Sequence, residues 1–327
     1  MKKKISVVIP TWQRPALLEN CLLALTGQHL PAKEFEIIVV TDGPDEASMQ
    51  AVNKIQLQCS THFLKCIALA GKKGPAAARN LGWQQAEGTL IAFTDDDCIP
   101  HADWLSTLWD AYLERKRPTL IAFAGKVKVP LSESPTDFEM NTSHLETANF
   151  VTANCCCTRA ALVQTGGFDE SFTMAWREDS DLEFKLLRAA IPIYHLERAI
   201  ITHPVRQAPW GVSIKEQKKS MFNALLYKKY PRLYREKIQP RPATHYYIIL
   251  CSFMLMLLAW IYQSNTMLMI SAAAYIILTG SFIAKRLART SRSFRHVTEM
   301  IFTSIVIPFA SVYWTLYGAW KYRVLFF

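Results

Sequence analysis

No two of the eight cysteines, at 21, 59, 66, 98, 155, 156, 157 and 251, stand as Cys-x-x-Cys, and none is spaced with histidine as in a structural zinc site. Zinc-built domains are therefore excluded. The run Cys155-Cys156-Cys157 does not restore one. Neighbours in a strand point to opposite faces, so three in a row do not close a tetrahedron. The cysteines are expected to be reduced and core-filling, in a cytosolic compartment. The opening Met1-Lys-Lys-Lys4 looks like the start of a leader, but only Ile5 to Pro10 follow before Gln13 and Arg14. That apolar stretch is too short for a secretory signal. A glycine-rich phosphate loop is also missing after the first apolar run, where Thr11-Trp-Gln-Arg14 stands instead. Formal charge is absent from Thr244–Tyr262, Thr266–Ala284 and Met300–Trp320. Three such runs in succession exclude ordinary solvated helices.

What is present is a basic excess with a fixed address. The formal charge is +10, and residues 213–242 hold Lys or Arg at 215, 218, 219, 228, 229, 232, 235, 237 and 241 against Glu216 and Glu236. A basic stretch fits nucleic acid or an anionic membrane surface. Apolar segments of spanning length follow it directly, which selects anionic lipid and leaves no nucleic-acid partner.

The stretch Thr89-Leu-Ile-Ala-Phe-Thr-Asp-Asp-Asp-Cys-Ile-Pro100 organises the remainder. Leu90 to Thr94 reads as a buried strand. Asp95, Asp96 and Asp97 follow it at once. Carboxylates this close resist joint ionisation and call for a cation. Hard divalent ions such as Mg²⁺ or Mn²⁺ bridge carboxylates to substrate phosphates. The carboxyl ends of strands are where open α/β sheets bind ligands.

Around it the first hundred residues alternate strand and helix. Ile5–Pro10, Phe35–Val40 and Phe63–Leu69 read as strands. Helices are expected after Pro15, over Glu46 to about Gln58, and after Gly74. That alternation implies a parallel sheet with right-handed crossovers. Trp104–Lys116 reads as a helix, and Leu120–Val129 as a strand with Gly125 kept for a close approach. Asn149–Thr158 is expected to be extended. A helix should end at Ala190 and a strand should run from Ile193 to Ile201, with His203 after it.

Six motifs, in order, resemble the family-2 glycosyltransferases. They are Ser6-Val-Val-Ile-Pro-Thr-Trp-Gln-Arg14, Ile38-Val-Val-Thr-Asp-Gly43, Ala76-Ala-Ala-Arg-Asn-Leu-Gly82, Phe93-Thr-Asp-Asp-Asp97, Gly166-Gly-Phe-Asp169 and Arg177-Glu-Asp-Ser-Asp-Leu182. The resemblance covers roughly residues 4 to 230, a span within the usual domain range. It implies a GT-A nucleotide-sugar-binding domain, an α/β fold with a mostly parallel twisted sheet flanked by helices. It also implies inverting transfer from a nucleotide-diphosphate sugar with Mg²⁺ or Mn²⁺.

The resemblance assigns the residues as follows. Asp97 is the metal ligand, Asp95 a ribose or metal contact, Asp96 lies behind them, and His203 supplies a further metal ligand. Asp179 is the general base, with Glu178 beside it; such a base is worth about 10²–10⁴-fold. Thr11, Trp12 and Arg14 belong to the nucleotide loop. Trp12 stacks on the base, and Asp42 accepts from a uracil or thymine N–H, which selects UDP or dTDP. The family usually has aspartate where Thr41 stands. Arg79 reaches toward the diphosphate. The Gln-x-x-Arg-Trp motif of processive members is missing, which favours transfer of one sugar. A nucleotidyltransferase-like enzyme is disfavoured by the missing phosphate loop. A non-catalytic membrane scaffold is disfavoured by the intact acidic motifs.

Each of the first two uncharged runs spans about 28 Å as a helix, close to the hydrocarbon thickness. Lys285, Arg286, Arg289, Arg292 and Arg295 place the second linker on the cytoplasmic side. The expected layout is a GT-A domain over 1–212, a basic juxtamembrane segment over 213–243, and a membrane domain over 244–327. The catalytic domain would then face the cytoplasm, and its acceptor would be a lipid-linked or cell-surface glycan. Pro308 sits mid-way in the third run. It favours a re-entrant or interfacial hairpin that returns Lys321 and Arg323 to the cytoplasm, with a kinked third span as the alternative.

Overall fold

A computed structural model describes residues 3–59 and 63–326. Met1 and Lys2 of the leader-like start lie outside the described residues. The chain forms two compact units, residues 1–130 with 143–205, and residues 131–142 with 206–327.

The first unit begins with β1 (Ile5–Thr11), α1 (Pro15–Thr26), β2 (Phe35–Thr41), α2 (Glu46–Cys59), β3 (Leu64–Ala68), α3 (Pro75–Gln85) and β4 (Leu90–Phe93). Pro15 and Pro75 open α1 and α3, where a missing N–H costs nothing and φ is preset. Then come β5 (Ile99–Pro100), α4 (Trp104–Glu114) and β6 (Ala122–Lys128). The chain leaves for α5 (Asp137–Ser143) and returns through β7 (Cys155–Thr158), α6 (Arg159–Thr165), α7 (Glu178–Arg188) and β8 (Ile193–Thr202).

One eight-stranded sheet has the order β3-β2-β1-β4-β7-β6-β8-β5. The β3-β2-β1-β4 half is parallel throughout, as the alternation of strand and helix requires. β7 then runs antiparallel between β4 and β6, and β6 pairs with β8 in parallel. Helices cover both faces, so β1 and β2 are buried along their whole length. Val7, Ile9, Ile37, Val39 and Cys156 enter the core on one face. Val8, Ile38, Val40, Cys155 and Cys157 enter the other. The cysteine run is split by strand alternation and fills both cores. All eight cysteines are free thiols. Gly125 is a close-approach site, since a Cβ there would collide with Asn154 and the Ala199 carbonyl.

The second unit holds α8 (Val212–Glu216), α9 (Met221–Lys229), α10 (Pro231–Lys237), α11 (Thr244–Ile261), α12 (Asn265–Leu287) and α13 (Phe294–Lys321). α11 and α12 form an antiparallel hairpin, with Phe253 against Tyr275 and Tyr246 against Phe282. By length and composition α11, α12 and α13 are each able to cross a membrane. The expected break at Pro308 is absent, because α13 is one helix of 28 residues. An interior proline removes one ladder bond. Burial of Thr303, Ser304, Ile307 and Pro308 holds the helix through that gap.

Candidate active site

The three aspartates stand at the carboxyl end of β4, beside the end of β1. This is the switch point where crossovers leave in opposite directions, and it opens a crevice. The Thr11 hydroxyl closes β1 onto β4 by donating to Asp96 Oδ2 at 2.8 Å. Arg14 Nη1 donates to Asp96 Oδ1 at 3.2 Å and lies 3.9 Å from Asp97. Burial pushes the Asp96 carboxyl up to about 6, with Asp97 and Asp95 adding to the rise and Arg14 and the Thr11 hydroxyl opposing it.

Asp97 Oδ1 is 3.4 Å from His203 Nε2, and both side chains are buried. The His203 backbone N–H donates to the Lys128 carbonyl at 2.8 Å, so the residue is set where β8 leaves β6. Its Nδ1 is buried and has no partner among the described residues. Asp97, Cys98 and His203 each bring a donor atom within 4.8 Å of the others. Burial pushes the Cys98 thiol well up, and Asp95 and Asp97 push it further. A thiol is a soft donor that hard ions such as Mg²⁺ or Mn²⁺ take poorly. Carboxylate and imidazole are left as the donors, and this pair suits a Mg²⁺ or Mn²⁺ ion that keeps positions for phosphate oxygens and water. Asp95 lies outside the trio and is turned to Arg79.

Arg79 lies in α3 and is 2% exposed. Its Nη2 donates to Asp95 Oδ1 at 2.6 Å and its Nη1 to Glu178 Oε1 at 3.1 Å. The guanidinium also stacks over Phe168. It thus ties the acidic triplet to α7 rather than extending into the crevice. Two carboxylates and a stacked ring compensate its burial, as a buried charge requires.

Glu178 and Asp179 open α7, where acids suit the helix dipole. Arg177 before them holds φ 75°, the left-handed region that L residues seldom adopt. Its guanidinium lies over Trp176. Burial raises the Glu178 carboxyl against the pull of Arg79, and the Asp179 charge raises it again. Burial likewise raises Asp179 against the Ser180 N–H and Arg177. Asp179 Oδ1 accepts from the Ser180 N–H at 2.6 Å.

The loop after β1 is pinned to the loop after β2. Asp45 Oδ2 accepts from the Gln13 N–H at 2.6 Å, and Gln13 holds φ 53°. Burial tends to raise Asp45, but the Ser48 hydroxyl and the Gln13 and Ser48 N–H groups outweigh it and hold the carboxyl low. This places Trp12 over Gly43, where a Cβ would meet the indole at 3.0 Å. Lys72 Nζ lies 4.8 Å above the same ring. Asp42 accepts from the backbone N–H groups of Lys73 and Gly74. Gly74 holds φ 101° against Thr173, so Asp42 fixes the turn that starts α3. The side chains expected at the site are thus gathered at one end of the sheet, and Cys98 and Lys72 join them. Single-residue patterns carried no signal for either.

Residues 6–162 match the Glycosyl transferase family 2 model. Glycosyltransferase AglE of Haloferax volcanii is 36% identical over 103 residues, covering 31% of this chain and 33% of that protein. Pre-mycofactocin glycosyltransferase of Mycobacterium tuberculosis is 28% identical over 219 residues, covering 62% of this chain and 43% of that one. The chain therefore spans less than half the length of either relative. Among solved structures, the mannosyltransferase PcManGT from Pyrobaculum calidifontis, in complex with GDP-Man and Mn²⁺, superposes with a TM-score of 0.63 at 17% identity, covering 96% of this chain and 88% of that one. Sheet, site and matches agree that the N-terminal unit has the GT-A fold and that the chain carries a glycosyltransferase family 2 domain.

Proposed function

We propose that the chain is a membrane-anchored, metal-dependent, inverting glycosyltransferase that moves one sugar from a nucleotide-diphosphate sugar to a lipid-linked or glycan acceptor. The observation that carries this reading is the buried Asp97–His203 pair, whose ring Nδ1 has no partner among the described residues, close in the chain to Asp95, which Arg79 links to Glu178. Asp97 and His203 would hold Mg²⁺ or Mn²⁺, and the ion would neutralise the departing diphosphate. Arg14 and Lys72 border the same crevice and suit phosphate oxygens. Trp12 offers a ring for the base. Asp42 spends most of its accepting capacity on Lys73 and Gly74, so it selects the base less strongly than the motif suggests. UDP and dTDP donors remain the first choice. The similar fold solved with GDP-Man and Mn²⁺ adds GDP-sugars to the screen.

Asp179 is the candidate base for the acceptor hydroxyl. Arg79 serves as a positioning residue that keeps Glu178 and Asp95 in register. The anchor is α11 and α12, whose apolar side chains are largely exposed. A chain tethered through these helices works at a membrane, which favours a lipid-linked acceptor.

The test is nucleotide release from UDP-, dTDP- and GDP-sugars by the full chain in detergent, with and without EDTA. Metal-dependent release that Asp97→Ala abolishes, together with weaker donor binding, supports the reading. Release that EDTA does not affect would remove the metal from it.

A further inference from the structure

α13 is long and apolar enough to cross a bilayer, yet its surroundings are not those of a span. The basic stretch lines it from one end to the other. Near its start the Gly211 N–H donates to Glu299 Oε1 at 2.7 Å. Past its midpoint Lys218 Nζ lies 5.6 Å over the Trp314 ring. Gly318 packs directly on the Met221 backbone, and a Cβ there would collide with it. Beyond its last turn, Lys228 Nζ donates to the Tyr322 carbonyl at 2.8 Å. Glu299 to Tyr322 is roughly 35 Å of helix, more than the hydrocarbon thickness. The strip beside it carries Lys215, Glu216, Lys218, Lys219, Lys228 and Lys229. If α13 spanned the bilayer, the middle of that strip, Lys215, Glu216, Lys218 and Lys219, would lie in hydrocarbon with it, where ionised side chains are costly and rare.

The other flank is open and apolar. Ile301, Phe302, Ile305, Tyr313, Leu316 and Trp320 are each at least 42% exposed. At 100° per residue they fall on one stripe. The α11–α12 hairpin meets α13 mainly at its own entry end, and Phe253, half-way along α11, packs edge-on against Phe309 in the middle of the stripe. Arg286, close to the end of α12, donates to the Thr303 and Ser304 hydroxyls in the first half of α13. Tyr246 and Tyr247, near the start of α11, line a small cavity with Ser311, Val312 and Thr315 of α13. Thus α13 lies across the mouth of the hairpin.

We propose that α13 is a membrane-surface helix and not a third span. Its Ile301–Trp320 stripe sits in the headgroup–acyl boundary of an anionic bilayer, and the basic strip along it meets the lipid phosphates. The chain then crosses twice, and Lys321 and Arg323 stay on the side of the catalytic domain. The inference rests on α11 and α12 being spans, as in the anchor reading above.

The test uses the full chain with Cys59, Cys66 and Cys251 changed to serine. Single cysteines are introduced one at a time as Phe302→Cys, Ile305→Cys, Leu316→Cys and Trp320→Cys. Each is spin-labelled and reconstituted in phosphatidylcholine–phosphatidylglycerol vesicles, and depth is read from oxygen against nickel-chelate relaxation. Leu257→Cys and Ile277→Cys serve as probes in α11 and α12. The expected result is one shallow depth for all four α13 probes and deep readings at 257 and 277. A depth that is greatest at 302 and 305 and falls away by 320 would overturn the proposal. Shallow readings at 257 and 277 would overturn the anchor reading itself. A second measurement is labelling of Arg323→Cys by an impermeant maleimide. Labelling only after permeabilisation supports the two-span form, and labelling in intact cells rejects it.

Discussion

At the residue scale, the proposed site works through carboxylates that burial makes reluctant to ionise. Asp179 is raised above the usual aspartate range by burial, against the Ser180 N–H and Arg177. A base with a raised pKa is lost to protonation as pH falls through that value, so activity should rise with pH across it. The acid limb of kcat against pH is therefore expected above the ordinary carboxylate range of about 4. In Asp179→Asn that limb should disappear, and kcat should drop about 10²–10⁴-fold with donor affinity kept. A collapse of donor affinity in this variant would make Asp179 a binding residue instead. The side chains themselves were largely legible in the sequence, because Asp95–Asp97, Glu178–Asp179 and His203 sit at strand and helix ends that periodicity marks. Their partners were not. Arg79 is 99 residues from Glu178 in sequence, and no local pattern reports that it bridges Glu178 to Asp95. Cys98 was equally hidden, since an isolated cysteine carries no ligand spacing.

At the scale of elements, the site depends on how closely α3 lies on the sheet. Gly82 is the contact, for a Cβ there would press into Val8 of β1 and Val40 of β2. Both valines are fully buried in strands paired on either side. Neither strand has room to retreat. Alanine gains up to about 1 kcal/mol of helix propensity over glycine. Overpacking of a filled core costs about 1–3 kcal/mol. The clash wins, so Gly82→Ala should lower the stability of the sheet unit by about 1–2 kcal/mol, read as a fall in Tm. An unchanged or higher Tm would show that α3 is free to lift off the strands. The parallel half of this sheet was legible, because continuous apolar runs separated by helical periods allow little else. The antiparallel insertion of β7 was not. Cys155–Thr158 is apolar enough for either direction, and its pairing with β4 and β6 is decided by packing.

At the scale of the molecule, the chain makes an excursion that its local patterns conceal. Residues 131–142 leave the sheet unit after β6 and belong to the C-terminal one. What holds them is Asp137, which receives Arg286 Nε at 3.2 Å and Nη2 at 2.7 Å, a fork-to-carboxylate pair. The partners are 149 residues apart, and in sequence Arg286 reads as one more charge in a solvated basic linker. In the fold its side chain is 9% exposed and that of Asp137 is 13% exposed. Arg286 also donates to Thr303, Ser304 and Ser213. One guanidinium therefore joins α5, α8, α12 and α13. Removing one member of a buried pair strands the other, at a cost of about 3–5 kcal/mol. Asp137→Ala should fall at the low end, about 3 kcal/mol, because three hydroxyls still accept from Arg286. Arg286→Met removes the charge but leaves the Asp137 carboxylate, 13% exposed, without its charge partner, and a similar loss is expected. The double variant Asp137→Ala, Arg286→Met strands no charge, so it should lose clearly less than the two singles added together. Thermal unfolding of all four proteins in one detergent gives the comparison. Strict additivity would mean that the pair does not act as a unit and that residues 131–142 are held in the C-terminal unit by their other contacts, such as the Ser291 N–H donated to the Pro135 carbonyl at 2.7 Å.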